Sequence, residues 1–208
     1  MKQLFIEAKY KGKITINKKE IDKLPDKIAL FTTVQFIDQL KDVKKQLKNK
    51  AIITKGKQKH PGQILGCDTS AATKEKNCLY IGTGNFHPIA LALLNKTVFT
   101  LDPFQKTIKK LDQKIVENYK KRKKAAMLKF LNAKNVGILI STKPGQKYRK
   151  DLTKLEKKYK DKKFYFFITN NIDINQFENF RFIQAWINTA CPRLEEDYIL
   201  LNINDLIR

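Results

Sequence analysis

Residues 78–101, CLYIGTGNFHPIALALLNKTVFTL, decide the fold class of this chain. The short apolar stretch CLYIG (78–82) predicts a buried strand that ends in glycine. The apolar positions of residues 86–94 recur at helical spacing, and VFTL (98–101) predicts the next strand. A strand, a helix and a second strand in this order are typical of a βαβ unit with parallel strands.

The same alternation continues in both directions along the chain. Apolar runs predict further strands at residues 3–8, 13–16, 27–33, 51–54, 136–141, 164–169, 182–188 and 198–202, and helical spacing predicts helices near 36–47, 106–133 and 146–160. The sequence therefore predicts an α/β fold of two small Rossmann-like domains, each built on a parallel sheet.

The predicted domains have definite boundaries. Residues 26–104 would form one α/β domain and residues 134–208 another, with a connecting helix over 105–133. Residues 1–25 stand apart, because their strand pattern QLFIEA (3–8) has no crossover helix of its own. An edge strand of this kind is prone to pair with another chain unless something covers it.

Composition narrows the class of protein. The 208 residues are 42% hydrophobic and 10% aromatic, which excludes a disordered chain. No apolar run approaches the roughly 18 residues of a membrane span, and the apolar stretch near the N-terminus is too short for a signal peptide. With only three cysteines the chain is no disulfide scaffold, so we expect an intracellular, cytoplasmic protein.

The net charge of +23 raises the question of a nucleic-acid partner. Only five of the 43 basic residues are arginine, the residue that base and phosphate recognition favours. The lysines are spread along the whole chain, and the densest run, residues 120–124, lies in a predicted helix. This distribution favours a solvated, lysine-rich surface over a nucleic-acid site, while a partner rich in phosphate or carboxylate stays open.

Cys67 and Cys191 occupy matching positions in the two predicted domains. Each follows an apolar run, ILG before Cys67 and FIQAWIN (182–188) before Cys191. Ligands of open α/β sheets bind at the carboxyl ends of the strands, so the two thiols could face one shared site. A structural role for each is the alternative. Cys78 differs, because it begins the CLYIG strand among apolar neighbours and is predicted to be buried.

The spacing of the cysteines limits the metal chemistry. No close CxxC pair occurs, so the usual local zinc motif is absent. Two distant thiolates are too few for a closed tetrahedral site. A further ligand would have to come from a histidine, a carboxylate, an added molecule or another chain.

Two strand-end loops are candidate binding sites. Gly82 and Gly84 would let backbone amides approach a ligand, and His87 stands at the next helix start, where an anion is favoured. The third glycine of a dinucleotide motif is replaced by His87, so helix-entry packing is the alternative for this residue. The second loop follows strand 136–141 and offers anion-binding groups, an ordinary turn being the alternative: Thr142, Lys143, Gly145 and Gln146.

Arg193 is the remaining candidate. It stands two residues after Cys191, and arginine binds carboxylates through two parallel hydrogen bonds. Its alternative role is an ion pair with one of the acidic residues that follow it, Glu195, Glu196 and Asp197.

Five motifs together resemble a known family: GQILGCDTS (62–70), YIGTGNFHPIALAL (80–93), LDPF (101–104), VGILISTKPGQ (136–146) and TACPRLEEDY (189–198). In this order the chain resembles the diphthamide synthases, the 2-(3-amino-3-carboxypropyl)histidine synthases of archaea and eukaryotes. The resemblance covers nearly the whole chain and is more specific than any spacing argument.

The resemblance implies a transferase with three similar α/β domains, each contributing one cysteine to a 4Fe–4S cluster. The open iron would bind S-adenosyl-L-methionine, an atypical radical-SAM reaction would break one of its C–S bonds, and a 3-amino-3-carboxypropyl radical would add to a histidine of translation elongation factor 2. Cys67 and Cys191 match the metal ligands of the second and third domains, and Cys78 matches none. The residues implied as candidates to contact S-adenosylmethionine are Gly82, Gly84, His87, Thr142, Lys143, Gly145, Gln146 and Arg193.

The family's first domain, with its cysteine, has no counterpart here, and residues 1–25 resemble its tail and linker. We expect a separately encoded chain to supply that domain and the third ligand, pairing with QLFIEA by β-augmentation. A truncated sequence is one alternative. A degenerate, noncatalytic partner subunit and a basic nucleic-acid-binding module are others. Because the family often works as a dimer, a homo- or hetero-oligomer is also expected.

Overall fold

The computed structural model describes residues 4–72, 74–146, 152–196 and 199–207. The chain forms two compact units, Met1–Val116 and Glu117–Arg208. Each unit carries a sheet whose strands are mainly parallel, which confirms the predicted α/β fold class.

The first unit is a five-stranded sheet in the order β2-β1-β3-β4-β5. Its strands are parallel except for β5, which pairs antiparallel with β4. The strands are β1 (Ile28–Thr32), β2 (Ala51–Ile52), β3 (Asn77–Ile81), β4 (Thr97–Asp102) and β5 (Thr107–Lys110), and the helices are α1 (Lys18–Ile21), α2 (Leu40–Leu47) and α3 (Phe86–Ala92).

The central strands of this sheet are buried on both faces. All five residues of β1 are buried, and alternate residues enter different clusters. Leu30 packs with Val43 and Leu47 of α2, whereas Phe31 packs with Leu91 of α3. Helices on both faces explain why the strand reads as a continuous apolar run rather than an alternating one.

The two strands predicted near the N-terminus, at residues 3–8 and 13–16, are wrong for the residues described there. Residues 4–17 are irregular, and residue 3 lies outside the described residues. Ile14 and Ile16 are nevertheless buried, against the α2 side of the sheet. The Gln46 side chain donates to the Ile14 carbonyl and accepts from the Ile16 N–H, each at 2.8 Å. The Gln46 amide therefore makes the hydrogen bonds to these two backbone groups that a neighbouring strand would have made if residues 13–16 formed a strand.

The second unit is a four-stranded, fully parallel sheet in the order β7-β6-β8-β9. Its elements are α4 (Gln113–Asn132, which starts in the first unit), β6 (Asn135–Ser141), α5 (Leu152–Lys158), β7 (Lys163–Thr169), β8 (Ala185–Asn188) and β9 (Leu201–Asn202). Phe130 of α4 and Leu155 of α5 pack on one face. Phe177, from the 3-10 helix Ile174–Phe180, packs on the other against Trp186.

Several predicted boundaries differ from the structure. The helix predicted over 106–133 begins only at Gln113, because residues 107–110 form β5. Asp102 accepts the backbone N–H groups of Phe104 and Gln105 through Oδ1, at 2.8 and 3.0 Å, and this turn returns the chain to β4. Residues 147–151 of the helix predicted near 146–160 lie outside the described residues, as does part of the strand predicted at 198–202.

Within the described ranges, no helix has both the length and the apolar character needed to cross a membrane.

Candidate functional site

Cys67 lies at the tip of a tight turn in the first unit. Leu65 and Asp68 exchange two backbone hydrogen bonds, at 2.9 and 3.0 Å, so Gly66 and Cys67 form the two-residue tip between them. Cys67 is exposed. A Cβ added at Gly66 would lie 2.0 Å from Cε1 of Phe86, the first residue of α3. Glycine therefore allows the turn to rest directly on that ring.

Backbone hydrogen bonds fix this turn to the carboxyl end of β1. Thr32 donates its N–H to the Gly62 carbonyl at 3.0 Å and accepts from the Ile64 N–H at 2.9 Å. The buried Thr32 hydroxyl also donates to the Ile81 carbonyl at 2.7 Å, linking the ends of β1 and β3. The structure thus places Cys67 close to the carboxyl ends of parallel strands, as the sequence predicted.

The Gly82–Asn85 loop follows β3 and leads into α3. Gly82 and Gly84 have φ angles of 151° and 75°, which β-carbon-bearing residues rarely adopt. Nothing lies within 4 Å of the position a Cβ would take at Gly84, so the backbone is open to a ligand there. Because Gly66 contacts Phe86, this loop and the Cys67 turn belong to one neighbourhood.

His87, in α3, contacts Tyr80 of the preceding strand β3. Its Nδ1 lies 3.2 Å from the Tyr80 hydroxyl, and the two rings stack with centroids 5.5 Å apart. Burial raises the pKa of Tyr80 to about 12. The Tyr80 phenol stays protonated at neutral pH, so it can donate to His87. This packing role is the alternative that the sequence left open for His87.

Asp68, next to Cys67, ties the turn to the preceding loop. It accepts from the Gln58 side chain and, at 2.9 Å, from the Ser70 N–H. Burial acts to raise the pKa of Asp68, but the hydrogen bonds from Gln58 and Ser70 and the charge of Lys57 outweigh it, so the pKa lies below its usual value. The carboxylate is therefore ionised and engaged in holding the loop.

His60 contacts the N-terminal segment. Its Nε2 lies 3.0 Å from Oε1 of Glu7, and Lys59 pairs with the same carboxylate at 2.8 Å. The hydrogen bonds from Lys59 and His60 lower the pKa of Glu7 to about 2. This hydrogen bond to Glu7 gives His60 a structural role distinct from metal binding.

Cys78 is buried within β3, as predicted. Burial raises the pKa of its thiol to about 11. A thiol held in the protonated form in an apolar core is a poor metal ligand.

Cys191 lies at a cleft of about 240 Å³ in the second unit. It follows β8, and the Asn188 side chain donates to its carbonyl at 2.8 Å. The cleft is lined by Ser141, Lys143, Gln146, Asn170, Ile172, Cys191, Arg193 and Leu194. Two cations and several hydrogen-bond donors around one thiol favour an anionic group such as a carboxylate.

The structure therefore brings four predicted residues together at this cleft: Lys143, Gln146, Cys191 and Arg193. Thr142 and Gly145 are exposed and are not among the lining residues. The alternative role of Arg193 was an ion pair with Glu195, Glu196 or Asp197. Asp197 and the side chains of Glu195 and Glu196 lie outside the described residues.

Sequence reasoning did not assign Ser141 and Asn170 to the site. Ser141 ends β6, and its hydroxyl accepts from the Lys143 N–H at 3.1 Å. Asn170 follows the last residue of β7, which pairs with β6 in register. The position directly after a predicted strand was the signal that could have identified Asn170.

That Cys67 and Cys191 bind one metal centre remains a prediction. Cys67 lies in the first unit and Cys191 in the second, and each unit is described by itself. All three cysteines are reduced thiols. Among the described residues, no group of three or more histidine, cysteine or acidic side chains is arranged to hold a metal ion. A cluster bound by Cys67 and Cys191 would need at least one further ligand.

Comparison with known proteins identifies the family of this chain. A sequence model of the diphthamide synthesis protein family matches residues 1–199. The chain belongs to this family.

Particular relatives are similar over much of the chain. The 2-(3-amino-3-carboxypropyl)histidine synthase of Pyrococcus horikoshii is 35% identical over 86% of this chain and 54% of its own length. The synthase of Methanocaldococcus jannaschii is 31% identical over 84% of this chain and 47% of its own length. The chain thus spans about half the length of these curated relatives.

Solved structures show the same fold. The crystal structure of Dph2 from Pyrococcus horikoshii superposes with a TM-score of 0.79 at 30% identity, covering 91% of this chain and 60% of that one. The structure of the same protein with a 4Fe–4S cluster gives a TM-score of 0.77 at 32% identity, over 88% of this chain and 57% of that one.

Proposed function

We propose that this chain is a subunit or part of a 2-(3-amino-3-carboxypropyl)histidine synthase. On this proposal it takes part in moving the 3-amino-3-carboxypropyl group of S-adenosylmethionine to a histidine of translation elongation factor 2, the first step of diphthamide synthesis, in the cytoplasm. The observation that carries the proposal is the thiol of Cys191 at a cleft that also presents Lys143 and Arg193. Family membership and the names of the relatives support it.

Cys67 and Cys191 are the proposed ligands of a 4Fe–4S cluster. Both thiols are at least partly exposed at strand ends, whereas Cys78 is buried with a raised pKa. Thiolates are the usual ligands of such clusters, so the donor chemistry fits. Bound there, the cluster would supply the electron that breaks a C–S bond of S-adenosylmethionine.

The cationic cleft would bind and orient the amino-acid end of S-adenosylmethionine. Arg193 can hold a carboxylate through two parallel hydrogen bonds, and Lys143 adds a second positive charge. Gln146, Ser141 and Asn170 offer further polar groups at the same cleft. In the first unit, the backbone at Gly84 is open to approach and is the second candidate contact, whereas Gly82 is buried against Tyr80 and is a weaker candidate. His87, Thr142 and Gly145 are weaker candidates, since His87 packs on Tyr80 and the other two do not line the cleft.

The third thiolate is proposed to come from outside this sequence. We favour a separately encoded chain that carries the family's first domain, with elongation factor 2 as the protein substrate. The apolar side chains of Leu4, Phe5 and Ile6, each more than three-quarters exposed, support a partner that covers the N-terminal segment.

The cluster assignment is tested by anaerobic co-purification with a chain carrying the first domain. We expect about four irons per complex and a broad visible absorption. Cys67→Ala and Cys191→Ala should each lose this iron, while the matched variant Cys78→Ala should keep it. Equal loss in Cys78→Ala would overturn the ligand assignment. A stable complex without iron would indicate the alternative function, a noncatalytic partner subunit.

The cleft assignment needs a separate variant. Arg193→Gln should leave the iron content unchanged and weaken S-adenosylmethionine binding by about tenfold or more, measured by calorimetry on the iron-loaded complex. Arg181→Gln is the matched control, because Arg181 is exposed in the same unit and does not line the cleft. Equal affinities for the two variants would remove Arg193 from the site.

A further inference from the structure

We propose that the outer face of α4 binds the phosphate backbone of double-stranded RNA. The outer face is defined by Lys120, Lys121 and Lys124, which lie in the second unit. In the sequence the lysines are spread too evenly to indicate a site, and only the folded helix shows which of them share a face. The inference does not rest on the proposed function.

The structure divides the basic run of residues 120–124 between two sides of α4. Lys123 lies on the packed side, where its ammonium pairs with Asp205 and lies 5.9 Å from the centre of the Tyr119 ring. The three lysines of the outer face are exposed, and none of them forms an ion pair within the described part of the chain. Their charges therefore face solvent and can meet a partner.

Helix geometry spreads the three charges over a wide arc. Each residue of an α-helix turns the chain by about 100°, so Lys120 and Lys121 diverge by that angle. Lys124 lies between their directions, one turn further along the helix, with its Cβ about 6 Å from that of Lys120. Lys121 lies on the side of α4 away from the buried Phe130. The outer face is thus a fan of three ammonium groups within about one helical turn.

The rest of α4 reinforces this positive charge. Seven of its residues are basic, and Glu117 is its one acidic residue. At the C-terminal end, where the helix dipole is negative, Lys162 donates to the carbonyls of Leu131 and Ala133, at 2.9 and 2.8 Å. A surface with charge of one sign attracts a partner of the opposite sign, so the outer face suits a polyanion.

The residue types on the outer face favour phosphate over a protein surface. Protein interfaces are depleted in lysine and depend on aromatic and arginine anchors, which the outer face lacks. Single-stranded nucleic acid requires exposed aromatic rings for its bases to stack on, and Tyr119 is half-buried beneath Lys123. A duplex is held through its phosphates. The major groove of A-form RNA is narrow, so diverging lysines can reach the phosphate rows on both of its sides.

Fluorescence anisotropy tests the proposal on the full chain, with a labelled RNA duplex of about 20 base pairs, which exceeds one turn of the groove. We expect a Kd of roughly 10 µM at about 0.05 M salt, weakening steeply as salt rises. The triple variant Lys120→Gln, Lys121→Gln, Lys124→Gln should reduce the slope of log K against log salt by roughly 2–3, since each lost phosphate contact removes about 0.9.

The matched control removes the same charge from another helix. The triple variant Lys41→Gln, Lys44→Gln, Lys45→Gln changes three exposed lysines of α2 and should reduce the slope by less than about one. Equal losses in the two triple variants, or no saturable binding by the unaltered chain, would overturn the proposal. Arginine at the three positions of the outer face should preserve the slope, because arginine also contacts phosphate. A loss there would show that the glutamine variant acts through the fold, and it would overturn the assignment.

Two other polyanions test the choice of partner. A DNA duplex of the same sequence should bind at least about threefold more weakly, because the major groove of B-form DNA is wide. Equal binding of the two duplexes would overturn the preference for the A-form groove. Displacement of the RNA by polyglutamate at equal charge concentration would assign the outer face to an acidic protein, with the exposed Leu128 and Leu131 as its apolar contacts, and would overturn the RNA site.

Discussion

At Gly66 the Cys67 turn lies against the ring of Phe86, with no room for a β-carbon. This contact and the two hydrogen bonds between Leu65 and Asp68 set the position of the thiol. The side chain of Cys67 itself is exposed, so its placement depends on these neighbours rather than on its own packing. Substitutions at Gly66 should therefore affect both the fold and the thiol.

Gly66→Ala should lower the free energy of unfolding by about 1–3 kcal/mol, because the added methyl group must displace the Phe86 ring or the turn. Urea denaturation measures this loss. Gly84→Ala is the matched control, since its Cβ would meet nothing within 4 Å and only its φ of 75° is strained. That variant should lose about 1 kcal/mol from backbone strain alone, at the lower end of the range expected for Gly66→Ala. A larger loss at Gly84 would contradict the steric account.

The thiols of Cys67 and Cys78 should differ in reactivity. The pKa of Cys78 is raised to about 11 by burial, so only about one thiol in a thousand is ionised at pH 8. Cys67 is exposed. We expect iodoacetamide to label Cys67 rapidly in the native chain and Cys78 only in denaturant, as read by peptide mass spectrometry. Labelling of native Cys78 at the rate of Cys67 would contradict its burial.

Among the elements, the strands of the sheet interiors were predictable and the irregular segments were not. The strands β1, β3 and β6 are mostly apolar because both their faces are covered, and that pattern is visible in the sequence. The hairpin that forms β5 was missed, since only Ile108 of its four residues is buried. Its turn signal, Asp102-Pro103, was present.

The candidate site was partly predictable for the same reason. Strand ends could be located, and with them Cys67, Cys191 and Lys143. The side-chain contacts around these strand ends could not be read from one sequence. Examples are the Phe86 ring against Gly66, which positions the Cys67 turn, and the Tyr80 hydroxyl near His87. The 3-10 helix Ile174–Phe180 also escaped prediction, because its pattern is too short to show a helical period.

The N-terminal segment offers a prediction at the element scale. Glu7 joins it to Lys59 and His60, and Tyr10 donates its N–H to the Gln35 carbonyl at 2.7 Å. The folded pKa of Glu7, about 2, lies below its usual 4.5. The contact is therefore complete above about pH 4.5 and is lost as the pH falls towards 2.

We expect Glu7→Gln to speed hydrogen exchange of the Tyr10 amide at neutral pH, and acidification of the unaltered chain through that window to do the same after correction for intrinsic rates. Nuclear magnetic resonance measures both. Asp26→Asn is the control, because the Asp26 side chain is 98% exposed and pairs with Lys50 at 3.6 Å. An unchanged Tyr10 amide in Glu7→Gln would show that the backbone contacts alone hold the segment.

At the scale of the whole molecule, the excess of lysine works against the compact state. A net charge of +23 on 208 residues implies repulsion among exposed cations. The α4 helix concentrates them, with Lys120, Lys121 and Lys124 all exposed. Ion pairs such as those of Glu7 with Lys9 and Lys59 stabilise the folded state instead. Salt screens both effects, and we expect it to weaken the repulsion among lysines more than the attraction in the ion pairs.

Raising sodium chloride from about 0.01 M to about 0.15 M shortens the Debye length from about 30 Å to about 8 Å. If repulsion dominates, the Tm measured by circular dichroism should rise by about 2–4 °C, as a gain near 1 kcal/mol gives for a chain of this size. The triple variant Lys120→Gln, Lys121→Gln, Lys124→Gln should start from a higher Tm at low salt and respond less to added salt.

The matched control is the triple variant Lys41→Gln, Lys44→Gln, Lys45→Gln on α2, which lowers the net charge equally. Its lysines lie near Asp42 and outside the basic run of α4. A smaller effect of the α2 triple would show that the clustering of charge on α4, and not the net charge alone, sets the repulsion. A fall of Tm with salt in the unaltered chain would mean instead that its ion pairs outweigh its excess of lysine.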